Sequence, residues 1–340
     1  MSGSANVGVH VDHAVAEDPE QIAAFEARIA AGELIEADDW MPTAYRDGML
    51  RMAEHHANSE IIGALPEGEW ITRAPSLRRK LALTAKVQDE VGHGQMLYRV
   101  SQDLGKTRDA MLRDLITGRT KYHNVFNYPA PTWGDIAMIQ WLIDGAAIMN
   151  QKTLADGAYG PYIRTMKRIN MEEAFHFKSG EDMVLTLMSG TAKQKQMAQD
   201  AFDRWWEPSI MFFGPPDKPN AETLPPMRWR MKTVTNDGLR RRFVNRFAPA
   251  AIDLGLKIHV TTKDEQGLVV SKRPDENVVL DESTGDWGFT EPNWEEFFRV
   301  IRGKGPCNAQ RLALRRMSYD QGRWVREAIL HGRVNVPPAA

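Results

Sequence analysis

Between Pro42 and Gly190 the apolar positions recur every three or four residues, the period of a helix packed on one face. Breaks in that period divide the stretch into four helices. The first follows Pro42 and runs to Gly63, with Met49, Met52, Ala53, His56 and Glu60 on its inward stripe. The second opens at Pro75-Ser76, where Ser76 suits an N-cap, and closes at Gly105; its stripe is Leu83, Lys86, Glu90, His93 and Leu97. The third starts at Thr132-Trp133-Gly134-Asp135, which reads as a capping box, and is broken by Gly157, Gly160 and Pro161. The fourth carries Glu173, His176, Gly180, Val184 and Leu187 on one face and stops at Gly190. Gly180, one turn past His176, leaves room for close approach of another helix or a substrate.

Outside this block the pattern is looser. Residues 1 to about 18 are small and polar and read as a disordered extension, and a helix follows from Pro19 to near Gly32. A helix is expected over Lys193–Trp206, and a charged amphipathic one from Gly238 that stops before Pro249. Lys257–Thr261 and Gly267–Val270 suit short strands, Trp287–Phe289 and Trp294–Phe298 suit a turn and a helix, and Asn308 to His331 suits a basic helix. The charge of that helix fits a solvated face or, the preferred reading, a subunit contact. The resulting division is an N-terminal extension over 1–41, a helical domain over 42–232, and an α+β extension with subunit contacts over 233–340.

Charges on the buried stripes change the picture. Asp144 sits among Met138, Trp141, Leu142, Ile143, Ala147 and Ile148, with no Lys or Arg within four residues on either side. A carboxylate buried there costs several kcal/mol (~3 or more) unless a cation joins it. Glu173 and His176 follow at i, i+3 spacing, and the first half of the block repeats the set as Glu60, then Glu90 and His93. Two helices with one carboxylate each and two with Glu-x-x-His form the ligand set of a ferritin-like di-iron bundle. One such motif is common by chance and usually marks a solvated face; two with matched upstream carboxylates are not. The six candidate metal ligands are Glu60, Glu90, His93, Asp144, Glu173 and His176. Lys86 falls one turn before Glu90, which fits either an ordinary i, i+4 surface pair or, the preferred reading, an ammonium that reaches the carboxylate cage.

Composition narrows the class. The 340 residues hold 43 basic and 45 acidic side chains, so no electrostatic case exists for nucleic acid or an anionic membrane surface. Cys307 is the single cysteine, which excludes an intrachain disulfide or a thiolate cluster and suits a reducing cytoplasm. No apolar window is long enough to span a bilayer, and no signal peptide is visible. Ten tryptophans and seventeen methionines point to a large apolar pocket or a subunit interface besides the core. Gly118–Asn124 is a basic, polar connector suited to an anionic ligand.

Both Glu-x-x-His motifs, Lys86, Thr120–Asn127, Trp205–Ser209, Phe213–Asp217 and Gly305–Asn308 together resemble the catalytic A subunits of phenylacetyl-coenzyme A epoxidases, bacterial multicomponent di-iron oxygenases, over about residues 42 to 335. The resemblance implies two Fe ions on the six ligands and an active-site role for Lys86 beside Glu60, Glu90 and Asp144. It implies substrate coenzyme A contacts near Arg51, His55, Lys121, Tyr122, His123, Asn124 and Asn220, with Arg51 and His55 on a face turned away from Glu60. It further implies a paralogous helical subunit without catalytic ligands, a small accessory subunit, and a separate reductase carrying NADPH, flavin and an iron–sulfur cluster. Met138, Trp141, Ile148 and Phe175 are expected to hold the aromatic ring, and Arg119 and Lys121 the coenzyme phosphates. Three other readings remain: an oxygenase of the same family acting on another thioester, a ferritin-type store or scaffold, and a ribonucleotide reductase small subunit. The last needs a radical tyrosine where Leu97 stands.

Overall fold

The computed structural model describes residues 17–258, 268–270, 278–281, 283–289 and 292–331. It is mainly helical. In chain order the helices are α1 (Pro19–Ala30), α2 (Thr43–Gly68), α3 (Leu77–Asp103), α4 (Arg108–Ile116), α5 (Trp133–Met138), α6 (Asp144–Leu154), α7 (Gly160–Met188), α8 (Ala192–Ile210), α9 (Pro225–Arg228), α10 (Asn236–Asp253), α11 (Trp294–Arg299), α12 (Asn308–Gln321) and α13 (Arg323–His331). Three short strands, β1 (Leu268–Val270), β2 (Val278–Asp281) and β3 (Asp286–Phe289), form an antiparallel sheet in sequence order. The 1–16 extension and most of the strand expected over Lys257–Thr261 lie outside the described residues.

Four helices build the bundle: α2, α3, the α5–α6 pair and α7. Helix α2 packs along α3, α7 packs along α5–α6, and α3 meets α7. Local chemistry sets where each begins. Ser76 Oγ accepts from Arg79 N at 3.2 Å and starts α3. Thr132 and Asp135 form the capping box at α5, and buried Asp135 also accepts from Trp205 Nε1 at 3.0 Å, which ties α8 to that end.

Several elements differ from expectation, among them α8, which runs past Trp206 to Ile210 with the buried Pro208 inside it. Helix α2 continues past Gly63 to Gly68 with Pro66 inside it, because Pro66 and Glu67 are buried and the helix goes on packing. Helix α10 likewise runs through Pro249, since Phe243, Phe247, Ala248 and Ala251 all sit in the core and outweigh one missing backbone donor. Trp287–Phe289 is strand rather than turn, because Trp287 N donates to Asn245 Oδ1 at 2.6 Å and the Trp287 side chain is buried. The tail is two helices, α12 and α13, divided at Gly322.

The third bundle helix is interrupted. Ile139–Ile143 winds as a π-helix between α5 and α6, immediately before Asp144. The extra residue in the turn rotates everything after it, so the bulge aims Asp144. Gly180 on α7 lies against this bulge: a Cβ there would stand 2.4 Å from the Gln140 carbonyl carbon and the Trp141 nitrogen. The close approach expected at Gly180 is therefore by a helix. The main core cluster draws Ile136–Ile143, Met183, Val184, Trp205 and Trp206 together with Phe243, Val244 and Phe247 of α10.

Candidate metal centre and substrate cavity

Glu60 on α2, Glu90 and His93 on α3, Asp144 on α6, and Glu173 and His176 on α7 converge in the bundle interior, and all six are buried. Their donor atoms fall into two groups, each within 4.8 Å: Glu60, Glu90, His93 and Glu173 in one, Asp144, Glu173 and His176 in the other. Glu173 belongs to both. His93 Nδ1 lies 3.5 Å from Glu173 and 3.7 Å from Glu60, and His176 Nδ1 lies 3.3 Å from Glu173 and 3.4 Å from Glu90.

The far nitrogen of each imidazole is held by a carboxylate from the opposite repeat. His93 Nε2 is 2.8 Å from Glu172, and His176 Nε2 is 3.1 Å from Asp89. These bonds fix both rings with Nδ1 toward the centre. Sequence reasoning missed both partners, although a signal existed: each motif is an acidic doublet, Asp89-Glu90 and Glu172-Glu173.

Lys86 is 2 % exposed and its ammonium donates to Glu67 at 2.7 Å and Glu90 at 2.5 Å. Asp144 Oδ2 stands 3.2 Å away without hydrogen-bond geometry. Burial alone would lower the Lys86 pKa; Asp144, Glu67, Glu90 and Glu173 outweigh it and hold the group protonated, well above the usual lysine range. Glu67 was also missed, because it lies beyond the expected end of its helix. Its other oxygen accepts from Gln140 Nε2 at 3.0 Å.

Charge decides what this cluster can hold. Glu60, Glu67, Glu90, Asp144 and Glu173 are five buried carboxylates facing one ammonium. Without metal, burial raises the pKa of Glu60, Glu67 and Asp144 toward the protonated form; with all five ionised, four negative charges are in excess of Lys86, and two divalent cations would cancel them. The carboxylates draw in protons as well: against burial, which lowers them, Glu173 and Glu60 raise His93, and Glu173 and Glu90 raise His176, each to about 11. His93 Nδ1 and Asp144 Oδ2, both facing the cluster, have no hydrogen-bond partner. Oxygen and imidazole donors with unsatisfied atoms fit a hard or borderline metal such as iron or manganese.

The cluster forms the inner end of a cavity of about 570 Å³. Gly63, Phe126, Ile143, Ala147, Phe212 and Phe213 supply its apolar wall, and His123 stacks on Phe212 with ring centroids 4.1 Å apart. The wall expected from Met138, Trp141, Ile148 and Phe175 is not this one. Met138 and Trp141 are sealed in the core, Ile148 is buried without reaching the cavity, and Phe175 is 47 % exposed on the outer side of α7. Lys121 and Arg302 line the more exposed part, and Lys232 stands half-buried in the lining with Nζ donating to Asn236 Oδ1 at 2.5 Å.

The chain matches the model of the phenylacetic acid catabolic protein family over residues 25–324. It belongs to that family. It is also 45 % identical, over 306 residues that make up 90 % of this chain and 94 % of the relative, to the A-subunit of the 1,2-phenylacetyl-CoA epoxidase of Escherichia coli (strain K12).

The residues the resemblance assigned to coenzyme A separate into two sets. His55, Lys121, His123 and Asn124 line the cavity, so His55 shares it with Glu60 rather than facing away. Arg51 is exposed outside the lining, Tyr122 is buried behind it with its hydroxyl donating to Asn127 Oδ1, and Asn220 sits on an exposed turn with φ 59°. Arg119 is paired with Asp114 at 2.9 Å and likewise stands outside. Lys232 and Arg302, which sequence reasoning did not single out, come from segments about 110 and 180 residues downstream of Lys121, a distance no local pattern bridges.

Proposed function

We propose that the chain is the oxygenase subunit of a multicomponent monooxygenase that epoxidises the ring of phenylacetyl-CoA at carbons 1 and 2. The observation that carries this reading is the double carboxylate–imidazole cluster at the inner end of a cavity lined also by Lys121, Lys232 and Arg302, of which Lys121 and Arg302 are exposed. Similarity to a component of the Escherichia coli epoxidase supports the substrate. The balance is phenylacetyl-CoA, dioxygen, two electrons and two protons in, and 1,2-epoxyphenylacetyl-CoA and water out.

Two iron ions, held by Glu60, Glu90, His93, Asp144, Glu173 and His176, would supply the reductive cleavage of dioxygen. The chain's own groups do the rest. Phe126, Phe212 and Ala147 offer an apolar surface that keeps an uncharged ring beside the cluster and water away from it. The three basic side chains suit the phosphates of the coenzyme, so remote binding energy orients the ring. Lys86 keeps its proton at Nζ and balances the carboxylates on the Asp144 side. Tyr162 donates to His56 Nδ1 at 2.8 Å and His56 Nε2 in turn to Glu60 at 2.8 Å, which fixes the outer oxygen of that ligand.

No residue pattern for binding NADPH, flavin or an iron–sulfur cluster stands in this sequence, so the electrons are assigned to a separate reductase. Helices α3 and α7 carry four exposed apolar side chains, Leu81, Val91, Met171 and Phe175, which supports contact with a paralogous helical subunit; one small accessory subunit completes the proposed assembly. No described helix is long and apolar enough to cross a membrane. The cytoplasm, with its reduced nicotinamide, is the proposed compartment.

Product analysis with ¹⁸O₂, using the assembled complex, reductase and NADPH, tests the reaction. One labelled oxygen in the thioester product and a far lower rate with free phenylacetate are expected. Unlabelled product, or equal turnover of the free acid, would overturn it.

A further inference from the structure

The stretch of α2 that faces the cavity reads Glu60, Gly63, Glu67, three residues on one side of the helix. The two carboxylates bracket a position with no side chain, and the Phe126 ring fills the space. A Cβ built on Gly63 would stand 2.7, 2.9 and 3.1 Å from three carbons of that ring. The first two are shorter than real Cβ contacts, so with any other residue at position 63 the ring could not lie on the helix where it does.

The backbone that carries Phe126 is held in place, so the ring is the part that must give. It sits in the 3₁₀ turn Asn124–Asn127, whose neighbours are pinned on the outer side. Phe126 O accepts from Arg311 Nε at 3.2 Å, Asn127 O accepts from Cys307 N at 2.9 Å, and Asn127 Oδ1 accepts from the Tyr122 hydroxyl. Arg311 is itself only 2 % exposed. A side chain at position 63 would therefore have to displace the ring, and with it the cavity wall that Gly63 and Phe126 share.

We propose that the contact between Gly63 and Phe126 sets the length of acyl group the cavity accepts next to the metal cluster. Gly63 and Phe126 are specificity determinants rather than catalytic residues: the first by absence of a side chain, the second as the wall that an aryl group meets. The inference rests on the thioester reading above and adds to it which part of the substrate is measured, and where.

The test is calorimetric titration of the chain, assembled with its partner subunit, with phenylacetyl-CoA, acetyl-CoA and coenzyme A. For wild type, tighter binding of phenylacetyl-CoA than of coenzyme A is expected; equal affinities would defeat the thioester reading itself and leave nothing for this inference to refine. Gly63→Ala should weaken phenylacetyl-CoA by about tenfold or more while changing acetyl-CoA and coenzyme A less than about twofold. The double variant Gly63→Ala/Phe126→Leu should regain most of the loss, which a merely damaged fold would not. Phe126→Leu alone, which removes bulk and tests the wall even if Gly63→Ala misfolds, should admit a larger arylacetyl thioester such as naphthylacetyl-CoA at least about tenfold better than wild type does. A loss shared equally by all three ligands, no recovery in the double variant, or an unchanged preference in Phe126→Leu would each overturn the proposal.

Discussion

Lys86 shows how one residue can hold two states of a site together. Its ammonium is the one lysine or arginine charge described among five buried carboxylates, beside the His93 and His176 rings, and three of the carboxylates lie within 3.2 Å of it. Removing it with Lys86→Met leaves those charges uncompensated, at a cost of ~3–5 kcal/mol. Metal in the cluster would supply part of the missing charge. The variant should therefore be strongly destabilised in guanidinium melts of metal-stripped protein and clearly less so after iron loading; an equal loss in both would mean that Lys86 does not share the cluster's charge. His123 and His55 give a second test at this scale. Burial, with His55 beside it, lowers His123 to about 3; burial, with His56 and Lys121 nearby, lowers His55 to about 4. Both ordinary values are 6.5. Neutral imidazoles thus stabilise the fold above pH 6.5, and that contribution is lost as pH falls through the acid range toward the folded values. His123→Gln keeps a donor toward Phe212 O and removes the titration. It should lose less stability than wild type between pH 7 and pH 5, by on the order of 1–2 kcal/mol in urea melts; identical acid profiles would count against a buried neutral ring.

At the scale of elements, the decisive device is the π segment Ile139–Ile143 with Gly180 pressed against it. Gly180→Ala would push α7 off the bulge and carry Glu173 and His176 away from Asp144. A loss of ~1–3 kcal/mol and reduced metal retention are expected, the second measured at matched folded fraction; normal metal content would show that the bulge does not position the site. The bundle helices are legible in the sequence because charged residues recur at i, i+3 on otherwise apolar stripes, a pattern with no cheap explanation but a shared buried partner. The bulge is not legible, since a π turn and an α turn share the same residue types. Glu67 escapes because Gly63 and Pro66 look like a helix end, although tertiary burial carries the helix through them. Trp287–Phe289 reads as a turn from its glycine, while the pairing that makes it a strand is decided by Val278–Asp281 and Asn245.

For the molecule as a whole, the cavity joins segments that no local pattern connects: α2, the 121–126 loop, α6, the 212–215 turn, Lys232 and the 297–302 segment. That is why sequence alone points to Met138 and Trp141 for the apolar wall: they share a stretch of chain with Asp144 but point into the core. Arg302 offers a clean probe of the open part because it is exposed and far in sequence from every proposed ligand. Arg302→Ala should raise the KM for the thioester by about threefold to tenfold, more at low ionic strength than at high, with kcat little changed; a salt-independent effect confined to kcat would remove it from coenzyme binding. The central claim is that the cluster holds metal through two groups of ligands that share Glu173. Iron content per chain, measured in wild type and in Glu173→Ala after identical anaerobic loading and desalting, tests that claim most directly. Two irons in wild type and loss from both positions in the variant are predicted; two irons retained without Glu173, or none bound by the wild type, would contradict it.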